Sequence, residues 1–136
     1  MQKGVDSPVV YYNGKNYGDR EMVHQLEKEA VGLRHIDISL CKPGMDTFKN
    51  IAASWGKQLV DLVNVQSTFY PNFKKRLQDK EDLKVSTILK ILHHHPSLIK
   101  TPLFVVEGSC YWLRSEKERE AMEKHKMAKS GILSTS

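Results

Sequence analysis

Cysteine is scarce in this chain. Of 136 residues only Cys41 and Cys110 are cysteines, far apart, with no Cys-x-x-Cys and no spacing that would hold zinc. That excludes a disulfide framework and a vicinal dithiol centre, and a small buried thiol in a reducing compartment is the bland reading of each. Long hydrophobic runs are missing too. No apolar stretch approaches the roughly 20 residues needed to cross a bilayer, and Met1–Asp6 lacks the apolar segment of a secretory signal, so a cytoplasmic location without a membrane partner is expected. Blocks of one charge are also absent. The net charge is +5, yet Lys74, Lys75 and Arg76 are followed by Asp79, Glu81 and Asp82, and Lys117, Arg119 and Lys124 alternate with Glu116, Glu118, Glu120 and Glu123. Such a mixed, solvated surface argues against direct nucleic-acid binding. Metal-ligand spacing is lacking as well. Consecutive helical residues turn by about 100°, so His93, His94 and His95 point in different directions, whereas ligands on one helix face sit three or four apart. A helix C-terminus accounts for such a run, and neither a metal nor a cofactor is expected. For His24 and His35 the sequence locates no acidic or thiol partner.

What is present is a chain of one-domain length with 40% hydrophobic and 27% charged residues, enough to bury a core. Pro8–Tyr12 reads as a short strand, followed by a turn over Asn13–Asp19 and a helix from about Arg20, with Asp19 as its N-cap and Met22, Val23, Leu26 and Ala30 on one face. Gly32 is placed to end that helix, and the alternation in Leu33–Ile38 predicts a strand parallel to the first, a βαβ unit. Beyond the break at Lys42-Pro43-Gly44, Asp46 or Thr47 is expected to cap a helix with Phe48, Ile51, Ala52, Trp55 and Leu59 along one stripe. Gly56 interrupts it, and a shorter helical piece runs through Leu59, Leu62 and Val63. Asn64–Pro71 has no period, and Phe69, Tyr70 and Phe73 are expected to pin it to the body. Asp82 or Ser86 opens a further helix, with Val85, Ile88, Leu89 and Leu92 inward, that stops at Pro96.

Leu103–Val106 reads as a buried strand, reversing through Glu107-Gly108-Ser109 into a second strand over Cys110–Leu113. Ser115 and Glu118 have capping-box spacing for a last helix. Trp55, Trp112, Tyr111 and Phe104 are expected to form one aromatic cluster. The reading is a single domain over 1–130, with 131–136 a disordered tail. Its order is β-α-β, a helical insert, a β-hairpin and a C-terminal helix, giving a four-stranded mixed sheet. Periodicity supports α/β or α+β and goes no further.

Three stretches narrow the choice. They are the Tyr-x-Asn opening of the first turn with Arg20 beyond it, the insert carrying Phe48, Ile51, Leu59 and Leu62, and the run from Leu89 through His95-Pro96, Leu98-Ile99 and Thr101-Pro102 into an apolar strand. Over roughly Val9 to Leu113 the chain resembles the arsenate reductase/Spx (ArsC-like) family, which implies a thioredoxin-like, glutaredoxin-like α/β fold. By the family pattern Pro102 is cis. The resemblance also exposes a gap. Family enzymes carry a reactive cysteine at the tip of the first helix, where free N–H groups and the helix dipole stabilise a thiolate and an oxyanion. Counted along the turn, that position falls on Asn16, whose amide is no comparable nucleophile.

Family reductases also place arginines around the oxyanion. One precedes the cis-proline, where this chain has Thr101. A second ends the insert, where it has Asn64 or Val65. A third lies near the end of the last strand, where Arg114 matches. Nucleophile and most of the clamp are missing together. The resemblance therefore implies a catalytically degenerate, non-enzymatic protein that acts by binding or regulation, with a protein partner such as the transcription machinery that Spx-like relatives contact. The alternative is a divergent arsenate reductase-like or glutathione-linked oxidoreductase using Cys41 beside Lys42. A third reading is an oxyanion or small-ligand pocket formed by Asn13, Lys15, Asn16, Thr101, Pro102 and Arg114. Cys110 is expected in the core or at an edge.

Overall fold

β1 (Val9–Tyr12) lies inside a four-stranded sheet and organises it. In the computed structural model, which describes residues 7–79 and 84–130, the strand order is β2-β1-β3-β4. β2 (Arg34–Asp37) runs parallel to β1, while β3 (Leu103–Val106) is antiparallel to it and pairs in turn with β4 (Ser109–Trp112). The helices are α1 (Tyr17–Glu27), α2 (Met45–Trp55), α3 (Tyr70–Asp79), α4 (Val85–His94) and α5 (Glu116–Ser130), with 3-10 turns at Leu59–Leu62 and Pro96–Leu98. This is the expected α/β, thioredoxin-like mixed sheet, and the Thr101–Pro102 peptide bond is cis.

Side chains alternate across a strand, and that alternation splits the core in two. Phe48, Ile51, Phe73, Leu92, Leu98 and Leu103 lie in the larger cluster, built with α2, α3 and α4. Val10, Val23, Leu26, Phe104, Leu113 and Met122 lie on the other face, with α1 and α5. The expected single aromatic cluster is therefore two. Trp55 and Trp112 pack against the first core, whereas Phe104 and Tyr111 belong to the second.

Several boundaries move, each for a local reason. α1 starts at Tyr17 with Asn16, not Asp19, as its N-cap, and it ends at Glu27, leaving Gly32 (φ +74) to the turn before β2. α2 starts after Gly44, which caps it by backbone alone, so Asp46 and Thr47 are first-turn residues; Gly56 closes it in the left-handed conformation. α3 has no counterpart in the sequence reading. Pro71 sits in its first turn, where a missing N–H costs no helical hydrogen bond, and the buried Phe73 anchors it. α4 begins after Lys84, with Ser86 inside it. The expected roles of Asp82 and of the tail 131–136 lie outside the described residues.

The last helix departs instructively from its expected cap. Ser115 Oγ does accept from the Glu118 N–H (3.3 Å). The Glu118 carboxylate, however, turns to the sheet, where Oε1 accepts from the Trp112 N–H (2.8 Å) and from Trp55 Nε1 (2.8 Å). β4 is an edge strand, so Glu118 satisfies an edge donor and ties α5 to α2 at once. Glu118→Ala is expected to cost about 1–3 kcal/mol, the range for leaving a part-buried donor unsatisfied, measured by urea denaturation. Tryptophan emission should shift to the red, and Glu118→Gln, which keeps an acceptor oxygen, should lose less.

Candidate functional site

The turn after β1 is shaped by side chains that take backbone donors. Asn13 Oδ1 accepts from the Lys15 N–H (3.0 Å), and Asn16 Oδ1 accepts from the Asp19 N–H (2.9 Å), capping α1. The turn is also held from β2, because Asp37 Oδ1 accepts from the Gly14 N–H (2.8 Å), the Ser39 N–H (2.9 Å) and the Ser39 hydroxyl (2.6 Å). Burial alone would raise the Asp37 pKa. The hydrogen bonds from Ser39 and Gly14, with the Lys15 charge, outweigh it and hold the carboxyl below its ordinary value. A β-carbon at residue 14 would collide with the Asp37 carboxylate, so glycine permits this latch.

Asp19 lies inside this frame, 1% exposed. Its Oδ2 accepts from the Asn13 N–H (2.9 Å), and its Oδ1 receives Arg114 Nη2 (2.6 Å) and Nε (3.2 Å). Arg114 Nη2 also donates to Asn16 Oδ1 (2.8 Å), and Nε to the Thr101 carbonyl (3.1 Å), which Trp112 Nε1 shares (3.1 Å). A β-carbon at residue 18 would lie 2.8 Å from Nη2, so a side chain there would make the guanidinium shift.

Over this network opens a cavity of about 440 Å³, lined by Asn13, Asn16, Asp19, Asn64, Gln66, Ser67, Thr68, Ser97, Ile99, Thr101, Trp112 and Arg114. Its charged lining is a single acid and a single base, paired with each other. Everything else is amide, hydroxyl, indole or aliphatic. Among the described residues neither a thiol nor an imidazole lines it, and its one carboxylate, Asp19, is buried against Arg114.

Of the residues expected to form a pocket, Asn13, Asn16, Thr101 and Arg114 line this cavity. Pro102 is buried and does not line the cavity, and Lys15 faces a neighbouring cavity of about 280 Å³. At the insert end Asn64 lines the site, while Val65 is exposed. Cys41 is exposed and lines none of the cavities described, and its N–H donates to the Asp37 carbonyl (3.0 Å). Cys110 is a core residue of the larger cluster, and burial, with a smaller contribution from the Glu118 charge, pushes its thiol up to about 12.

The histidines resolve individually. His93 Nδ1 lies 2.8 Å from the Pro43 carbonyl, His95 stacks on Phe69 at 3.8 Å, and His24 and His35 both approach Glu27 (3.6 and 3.3 Å), a partner the sequence did not locate. Sequence reasoning missed Ser97 and Trp112 in the cavity, and it read Asp19 as the N-cap of α1. Its place in the third helical position behind an Asn cap was the available signal.

Solved structures of arsenate reductase type share this architecture. An arsenate reductase from Vibrio cholerae superposes with a TM-score of 0.69 over 85% of this chain and 97% of its own, at 21% identity. A Yersinia pestis protein proposed as an arsenate reductase gives 0.70, covering 85% and 98% at 20% identity. An arsenate reductase related protein from Brucella melitensis gives 0.60, covering 88% and 97% at 15% identity. No protein-family model matches the chain, and no curated protein is similar to it in sequence. The likeness is one of fold: a thioredoxin-like domain of arsenate reductase type.

Two outcomes follow from this geometry. Arg114→Ala strands a buried carboxylate. The loss should fall near the lower end of the about 3–5 kcal/mol for breaking a buried pair, because 34% of the Arg114 side chain is exposed. In urea denaturation, Asp19→Asn added to Arg114→Ala should recover part of it, with a coupling of about 0.5–3 kcal/mol. Separately, a native aromatic-disulfide titration should read the Cys41 thiol alone, and Cys110 should react only after denaturation.

Proposed function

We propose that this chain is a catalytically degenerate relative of the arsenate reductase/Spx family that works by binding, as a regulatory protein, rather than by thiol chemistry. The observation that carries this reading is the closure of the α1 tip by the chain's own groups. Asn16 caps the helix, Asp19 is buried behind it, and Arg114 is bonded to both. An active relative needs that tip for a thiolate and an oxyanion. Here the same space holds a carboxamide and a carboxylate, and the guanidinium that could have met an anion is neutralised internally.

Thr101 and Asn64 on the cavity wall, where family reductases carry arginines, support the same conclusion. A protein partner, with the transcription machinery as the nearest precedent among Spx-like relatives, is part of the proposal and rests on analogy of fold. The alternative, an oxidoreductase using Cys41, has less behind it, since that thiol is exposed away from the cavity. The purified chain, given arsenate with glutathione and glutaredoxin, is expected to reduce none above the protein-free rate. Alkylation-sensitive turnover, abolished by Cys41→Ser, would establish the alternative instead.

A further inference from the structure

The second cavity, about 280 Å³, differs in charge from the first. It draws basic side chains from three separated parts of the chain: the Lys15 ammonium from the turn before α1, the Lys42 ammonium from the segment after β2, and the His94 and His95 imidazoles from the end of α4. Ser39 and Ser97 add hydroxyls to its wall, and among the described residues no carboxylate lines it. Among the described residues none of these four side chains makes an ion pair.

The acid on the Lys15 side, Asp37, has its Oδ1 held by Gly14 and Ser39. His95 is oriented by its stack on Phe69, with ring centroids 3.8 Å apart and planes 16° apart. Burial and then the charges of His94, Lys42 and Arg76 lower its pKa. The two lysine charges thus converge here, with Asp37, whose carboxyl feels the Lys15 charge, as the acid nearby. The weak negative end of α4 lies beside it, and the His95 N–H is bonded to the Ile91 carbonyl.

We propose that this groove binds a small phosphate- or sulfate-type dianion, presented as a monoester and held by Lys15, Lys42, His94 and His95. The ligand supplies counter-charge for the two lysines, and the Ser97 hydroxyl donates to its oxygens. The volume is close to the roughly 300 Å³ at which small-molecule sites begin, which leaves room for an organic substituent. The site is distinct from the neutral cavity, with which it shares only Asn13 and Ser97. It offers a degenerate relative an anion site that does not depend on the closed tip of α1.

The test is titration of the full chain with sodium sulfate, followed by calorimetry and amide NMR, against sodium chloride at equal ionic strength. Sulfate keeps its charge across the histidine range, so any pH effect belongs to the protein. Saturable binding is expected, with shifts centred on Lys42, His94 and His95, tightening as pH falls below about 6.5, because burial holds the His95 pKa under the ordinary imidazole value. The Lys42→Ala/His94→Gln variant, altered at two exposed positions, should bind about tenfold more weakly. Phosphoserine binding more than about tenfold tighter than inorganic phosphate would identify a phosphorylated side chain as the source, and equal binding a free phosphate. Shifts centred on Arg114 and Asn16, a response that chloride reproduces, or wild-type affinity in the double variant would each overturn the proposal.

Discussion

A carboxylate that is 1% exposed keeps its charge only where a cation and hydrogen-bond donors replace water. For Asp19 these come from residues far apart in the chain: the Asn13 N–H, six positions away, and the Arg114 guanidinium, 95 positions away. That one pair therefore joins the turn after β1, the first turn of α1 and the link between β4 and α5. Through Arg114 Nε it also reaches the Thr101 carbonyl, beside the cis peptide. The shape of the larger cavity and its lack of net charge both follow. Arg114 cannot serve an incoming anion without loosening its hold on a buried acid.

A second brace runs along the other side of the sheet edge. Glu118 receives the Trp55 indole and the Trp112 backbone. Lys100 Nζ lies 5.6 Å from the Trp55 ring and 5.1 Å from that of Trp112, and Lys57 Nζ lies 5.4 Å from Trp55. Cation–ring contacts of this kind contribute about 0.5–1 kcal/mol each when exposed. Their larger consequence is positional. Trp112 forms one wall of the cavity, and its indole donates to the same Thr101 carbonyl that Arg114 uses. The edge brace and the buried ion pair thus converge on one backbone oxygen.

Charge is partitioned between adjoining spaces. The cavity over α1 holds one acid and one base in mutual contact, while the neighbouring groove collects Lys15, Lys42, His94 and His95 with, among the described residues, no acid on its wall. The overall charge of +5 gives no hint of this division. Neighbouring residues can serve different sites: Asn16 caps α1 and lines the neutral cavity, whereas Lys15 turns to the basic groove. Loop backbones, unlike helices and strands, send consecutive side chains in directions that no fixed period describes.

The amino-acid sequence by itself determined the strands β1 and β3, the hairpin into β4, the closure of α2 at Gly56 and the absence of a thiol at the first turn. Each is written in local periodicity, in a turn residue or in composition, and needs no distant partner to be read. α3 escaped because Pro71 and the lysines around Phe73 obscure an apolar stripe only a few residues wide. Tertiary structure alone decided that Asp19 is buried and paired, that Glu118 abandons its helix cap for two tryptophans, that the aromatics divide between two faces and that the lysine of the first turn leaves the expected pocket. Those outcomes depend on which charges and donors meet once the chain has closed on itself. That is a question of distance in space, and spacing along the sequence does not encode it.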